Sequence, residues 1–132
     1  MTQERWAEAV GVSVDSIRVY ENGSVIPTDE TVRAMSEISG LAPLSYWHLC
    51  NKSALASETL PEVERLPLPQ AVVQLLAAIQ TFEQRHHADA LLIISADGHV
   101  DAEEEPRFKE CVRDLHPLIQ AAMQIDYAEG TP

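Results

Sequence analysis

Three observations predict an all-α fold. Residues that cap helices (Thr2, Ser13, Thr28 and Asp101) each stand at the start of a stretch with helical character. Gly11, Gly23 and Gly40 fall where the first three of these stretches should stop. Apolar residues then recur at helical spacing, as in Val32, Met35 and Ile38, or in Val72, Leu75, Leu76, Ile79 and Phe82.

The first helix is expected over residues 3–10, opened by Thr2 and closed by Gly11. Thr2-Gln3-Glu4-Arg5 is an imperfect capping box, because Arg5 stands where Glu or Gln would reach back. Ser13 opens a second helix over residues 14–21, with Asp15 in the first turn, where the helix dipole favours a carboxylate. Asn22-Gly23 ends it. After a short loop, Thr28 opens a third helix with Asp29 and Glu30 in its first turn and Gly40 as its stop. Pro43 suits the first turn of a fourth helix, from Leu44 to about Cys50.

Residues 51–69 contain Pro61, Pro67 and Pro69 and few large apolar side chains. They read as a linker, or as an extended arm lying on a neighbour. Helical periodicity resumes with the stripe from Val72 to Phe82, which is expected to face the intrachain core, with a dimer face as the other use for it. The apolar run over residues 88–96 reads as a buried helix stopped by Asp97-Gly98. Asp101, with Glu104 three residues on, forms a capping box for the last helix. Its expected buried stripe is Phe108, Cys111, Val112, Leu115, Ile119 and Ala122, and Pro117 should kink or split it near His116.

At 132 residues the chain has the length of one domain or two small ones. Nine basic and 21 acidic residues give a net charge of −12. That balance disfavours general polyanion binding and docking on anionic lipid, both of which need clustered Lys and Arg. Cys50 and Cys111 make no disulfide framework and suit a reducing compartment. The longest apolar run, residues 90–94, is far short of the roughly 18–20 residues of a membrane span. The first ten residues lack the basic-then-apolar order of a secretory signal. The expected location is the cytoplasm, away from membranes.

The most specific pattern lies between Thr2 and Gly23. Gln3, Ala7, Gly11, Val12, Ser13, Ile17, Tyr20, Glu21 and Gly23 stand in register for two short helices crossing steeply. Ala7 is small where the second helix passes, Gly11 allows a positive φ at the turn, and Val10, Val12 and Ile17 fill the wedge. TQERWAEAVGVSVDSIRVYENG resembles the lambda-repressor-like, Cro/Xre-type helix-turn-helix family along its whole length, and IPTDETVRAMSEISGLAPLSYW is loosely similar to that family's fourth and fifth helices.

The resemblance covers about residues 2–49 and carries several implications. Residues 14–22 would be the recognition helix in the major groove. Gln3 would hold a phosphate, and Ser13, Val14, Asp15, Ser16, Arg18, Val19 and Asn22 would form the rest of the DNA-binding set, with Val14, Asp15, Ser16 and Val19 toward base edges. The family's first helix would precede Thr2, where only Met1 stands, so the unit is expected to be truncated at its N-terminus. The domains expected are a helix-turn-helix DNA-binding-like domain over 1–50, a linker over 51–69 and a C-terminal helical region over 70–132.

The chemistry of the face is unusual for DNA. Bases are commonly read by Arg on guanine or by Asn and Gln on adenine, whereas Val14 and Val19 offer only methyl contacts to thymine. Residues 1–50 hold three basic and seven acidic groups, a net −4.

Other constellations have simpler explanations. In residues 97–101 with Glu104, placing Gly98 at the sixth position of a calcium loop puts Ile93 at the first, where a carboxylate is required, so a capped turn accounts for them. His86-His87 with Asp89 suits a solvated helix end, because adjacent helical residues diverge by about 100°. His48 with Cys50, and Cys111 with His116, lack metal-ligand spacing. Glu103, Glu104 and Glu105 read as a solvated first turn. No nucleophilic triad or phosphate loop is visible. Trp6, Tyr46 and Trp47 are core candidates. No catalytic residue, metal or cofactor is expected.

The functional expectation is a transcriptional regulator that binds a palindromic operator in double-stranded DNA as a homodimer, its C-terminal helices dimerising or binding a protein partner. The alternative is a protein-interaction module, antitoxin-like or adaptor, without DNA binding.

Overall fold

A computed structural model describes residues 1–131. These form eight α-helices and one short 3-10 turn, with no strand among the described residues. The chain divides into two units, one ending at Leu60 and the other beginning at Pro61.

The N-terminal unit contains α1 (Gln3–Val10), α2 (Val14–Glu21), α3 (Asp29–Ser39), α4 (Leu44–Lys52) and α5 (Ala54–Thr59). Side-chain caps set its first helix starts. Thr2 Oγ1 accepts from Arg5 N at 3.3 Å, Ser13 Oγ from Ser16 N at 3.0 Å, and Thr28 Oγ1 from Thr31 N at 3.3 Å. Each satisfies an amide that an isolated helix end leaves unpaired. Gly11 takes φ 80° between α1 and α2, the left-handed conformation that this turn requires. Ala7, Ile17, Val32 and Tyr46 are buried, one from each of the first four helices. Asp29 at the start of α3 is tied to α4 by Lys52 Nζ at 2.8 Å and His48 Nε2 at 3.2 Å.

The stretch 51–69 holds more structure than a linker. Ala54–Thr59 is helical, with Ser53 Oγ accepting from Ala56 N at 3.2 Å. The proline-bearing segment beyond it is an extended arm whose Val63 and Leu66 are buried. Leu66, Ala71 and Ala128 form a small core cluster, with Leu68 and Ile125 packed on it, and Glu129 N donates to Leu66 O at 2.8 Å. Proline punctuation marks an irregular backbone, but it does not say whether that backbone is packed.

The C-terminal unit contains α6 (Leu68–Gln84), α7 (His87–Ile94), a 3-10 turn (Ser95–Asp97) and α8 (Glu105–Asp126). Its helix registers differ from those expected. On α6 the inward positions are Ala71, Leu75, Ala78 and Phe82, with Ala71 fully buried, while Val72, Leu76 and Ile79 are exposed. Ala71 packs with Leu66 and Ala128, and Leu75, Ala78 and Phe82 continue its row along the helix. α8 runs unbroken through Pro117. It buries Cys111, Ala121 and Gln124, and leaves Ile119 and Ala122 exposed. α7 is not buried throughout: His87 and Ile94 face inward, whereas Leu92 and Ile93 are exposed. Asp97-Gly98 ends this region as expected, with Gly98 at φ 80°.

The capping box at Asp101 forms in both directions. Asp101 Oδ1 accepts from Glu104 N at 2.8 Å, and Glu104 Oε2 accepts from Asp101 N at 3.1 Å. This closes a turn immediately before α8.

His86 and His87 do not form a solvated pair. His86 is the junction between α6 and α7 and holds a left-handed conformation (φ 55°, ψ 36°), the one such non-glycine among the described residues. His87 begins α7 and is fully buried. Its Nε2 lies 2.6 Å from Asp114 Oδ2, and its Nδ1 lies 3.0 Å from an Arg107 guanidinium nitrogen and 3.4 Å from Cys111 Sγ. Phe82 meets its ring edge-on at 5.3 Å. Arg85 donates to Asp114 at 2.8 Å and Arg107 to Arg85 O at 2.6 Å. The hydrogen bond with His87, helped by that from Arg85, holds the Asp114 carboxyl below its ordinary range against the opposing effect of burial. This network locks the corner of α6, α7 and α8.

Candidate nucleic-acid interface

The exposed surface of α1 and α2 follows directly from their crossing. Ala7 and Ile17 are buried, which turns the intervening polar positions outward. Ser13 fixes where α2 starts, since its hydroxyl accepts from Ser16 N and also lies 2.8 Å from Ser16 Oγ. Ser13 and Ser16 are thus engaged in capping. Asn22 serves the other end of α2, where its Oδ1 accepts from Ser24 N at 2.9 Å.

Four polar residues form a chain across the two helices. Arg18 donates to Asp15 Oδ1 at 3.2 Å and, through Nε, to Gln3 Oε1 at 3.4 Å. Gln3 in turn donates through Nε2 to Glu21 Oε2 at 2.6 Å. The chain brings Gln3, Asp15 and Arg18 of the expected set together and adds Glu21. Glu21 belongs to the register that the sequence pattern marks, but its hydrogen bond with Gln3 spans 18 positions and no local spacing announces it.

The ion pair within this chain is open to water, with side-chain exposures of 59% for Arg18 and 88% for Asp15. Such a pair is held weakly, so either group can exchange its partner for an external one. Val14 and Val19 are half-buried on the same helix. They supply apolar surface beside the polar chain and carry no donor of their own. The face therefore presents one guanidinium, one amide and two carboxylates.

An apolar recess of about 400 Å³ lies nearby, lined by Trp6, Ile17, Tyr20, Pro27, Met35 and Leu44 among others. It underlies α2 and sits beside the polar chain. Asp29, on α3, has its carboxyl held below the ordinary range by Lys52 and then His48, which makes that corner a tether.

No group of three or more His, Cys, Asp or Glu side chains arranged to hold a metal ion occurs among the described residues. No helix among them is long and apolar enough to cross a membrane.

Residues 1–46 match the family model described as Helix-turn-helix. The matched segment is of the Cro/C1 type, so the N-terminal unit is a Cro/Xre-like helix-turn-helix. This is a family of DNA-binding regulator domains and not of enzymes. No curated protein and no solved structure matches the chain.

Proposed function

We propose that this protein is a transcriptional regulator that binds an operator in double-stranded DNA as a homodimer, with α2 entering the major groove. The observation that carries this reading is the exposed Asp15, Arg18 and Gln3 chain on a helix-turn-helix unit. It offers a guanidinium and an amide at the edge of α2, held only by solvent-exposed partners. In this reading Arg18 leaves Asp15 for a base edge or phosphate. Gln3 holds a phosphate from the start of α1, Val14 and Val19 meet thymine methyls, and Asp15 accepts from a cytosine amine. Ser13 and Asn22 hold the ends of α2 and complete the DNA-binding set in this reading, with Ser16 toward base edges beside Val14 and Val19. The domains in this proposal keep the sense of 1–50 for DNA and 70–132 for association.

The test is a salt-titrated binding assay on DNA sites selected from a random pool. Enrichment of a palindrome, with affinity falling as salt rises, is the expected outcome. Absence of any sequence preference at low salt refutes it.

A second reading has its own support. The face carries two carboxylates beside its one exposed guanidinium, and residues 1–50 are net −4. A face of that sign suits a basic protein segment, as in an antitoxin-like or adaptor module. Capture of such a segment by the isolated chain, with no selected DNA site, is the result that favours it.

A further inference from the structure

The exposed side of α6 is an apolar stripe with almost no charge. Val72, Leu76 and Ile79 recur at four- and three-residue spacing along one side, and Val73 stands on the crest. They are between 37% and 65% exposed. Over its 17 residues α6 holds a single ionisable side chain, Glu83, close to the C-terminal end. The other flank of the helix is occupied within the unit. Gln124 Nε2 donates to Gln74 Oε1 at 2.8 Å, while Gln124 Oε1 accepts from Glu64 N of the arm at 3.4 Å.

We infer that this stripe is an isologous interface with a second copy of the same chain. The inference rests on the dimeric reading above and assigns its face. The occupant follows from charge. In a two-fold contact charges close to the axis approach their own like, and two copies of a net −12 chain repel each other overall, so an uncharged face is the one on which self-pairing meets least repulsion. α6 meets that condition, and it offers no charge for a basic or acidic partner of another kind to complement. Area points the same way. The four side chains expose on the order of 350 Å² per copy, a little under half of the ~800 Å² that each partner contributes to a standard interface. That proportion suits the apolar centre of a patch, with the glutamines of α6 left for the rim. The stripe spacing of i, i+4, i+7 is also that of helices packing side by side.

The test is sedimentation velocity of the full chain at ~1 to ~100 µM, with Leu76→Glu and Val73→Glu as face variants and Leu92→Glu on α7 as the exposed control. The expected result is a wild-type dimer whose self-association weakens ~100-fold or more in each face variant, because each dimer then buries two unpaired carboxylates. The control should dimerise as the wild type does. Both face positions point to solvent in the single chain, and unchanged helical circular dichroism verifies that they fold. A wild type that stays monomeric at ~100 µM overturns the inference, as does a face variant that dimerises normally or a control that dissociates equally. A dimer of this kind without any DNA preference leaves the face standing and removes the regulator reading. A monomer that binds an operator does the reverse.

Discussion

Replacing Asp15 with Asn tests whether the outer face of α2 meets DNA. In the free protein the substitution is mild. The Asp15–Arg18 pair spans 3.2 Å at a largely solvated site, and such pairs stabilise by about 0.2–1 kcal/mol. Loss of a carboxylate from the first turn of α2 adds about 0.3–1 kcal/mol through the helix dipole. A small fall in thermal stability is therefore expected. On DNA the sign reverses, because the amide oxygen of asparagine still accepts from the cytosine amine while the charge that repels phosphate is gone. A carboxylate ~6–8 Å from a phosphate in high dielectric repels it by about 0.5–0.7 kcal/mol, and Arg18 no longer has to leave a carboxylate to reach the duplex. The gain is about 1 kcal/mol per chain and about 2 kcal/mol for a dimer, or ~30-fold tighter binding at low salt. Fluorescence anisotropy on a selected operator, at ~50 and ~200 mM salt, measures it. An affinity that is unchanged or weaker at low salt would falsify the placement of Asp15 against DNA, whatever happens to stability.

Further outcomes follow from the capping, the buried histidine and Asp114. Ser13→Ala removes the side-chain cap of α2 and should cost about 1 kcal/mol, read as a lower denaturant midpoint with unchanged slope. Wild-type stability in that variant rules out Ser13 as a working cap. His87→Ala leaves a cavity beside Phe82 and unpairs Asp114 and Arg107, so a loss of about 3 kcal/mol or more is expected in chemical denaturation of the full chain. Under 1 kcal/mol would mean that the corner of α6, α7 and α8 is held by something else. Asp114 has a depressed folded pKa, so its contribution is present above the unfolded value of 3.8 and is lost as pH falls from there through the lower folded value. Asp114→Asn should be less stable near neutrality and should lack this part of the acid-induced loss. Parallel stability curves for wild type and variant down to pH ~2 would contradict the linkage.

Much of the N-terminal unit is legible in the order of residues because its devices are local. Thr2, Ser13 and Thr28 act on amides three residues away, and Gly11 and Gly40 stop helices at their own positions. The C-terminal unit is harder to read because its decisions are tertiary. Two adjacent aliphatic stripes on α6 satisfy helical spacing equally well, and only the close approach of α8 selects the one containing Ala71 and Ala78. His87 looks like a surface residue until Asp114, 27 positions later, supplies its partner. The polar chain on α1 and α2 was half visible. Gln3, Asp15 and Arg18 were expected on one surface, whereas Gln3 to Glu21 joins residues 18 positions apart.

The scarcity of charge on α6 separates the two associations proposed for this chain by their response to ions. Contacts between Arg18 and a duplex release counterions and weaken as ionic strength rises. Pairing through Val72, Val73, Leu76 and Ile79 releases none, and salts excluded from apolar surface strengthen it. Rising salt would then lower operator occupancy without dissociating the paired subunits.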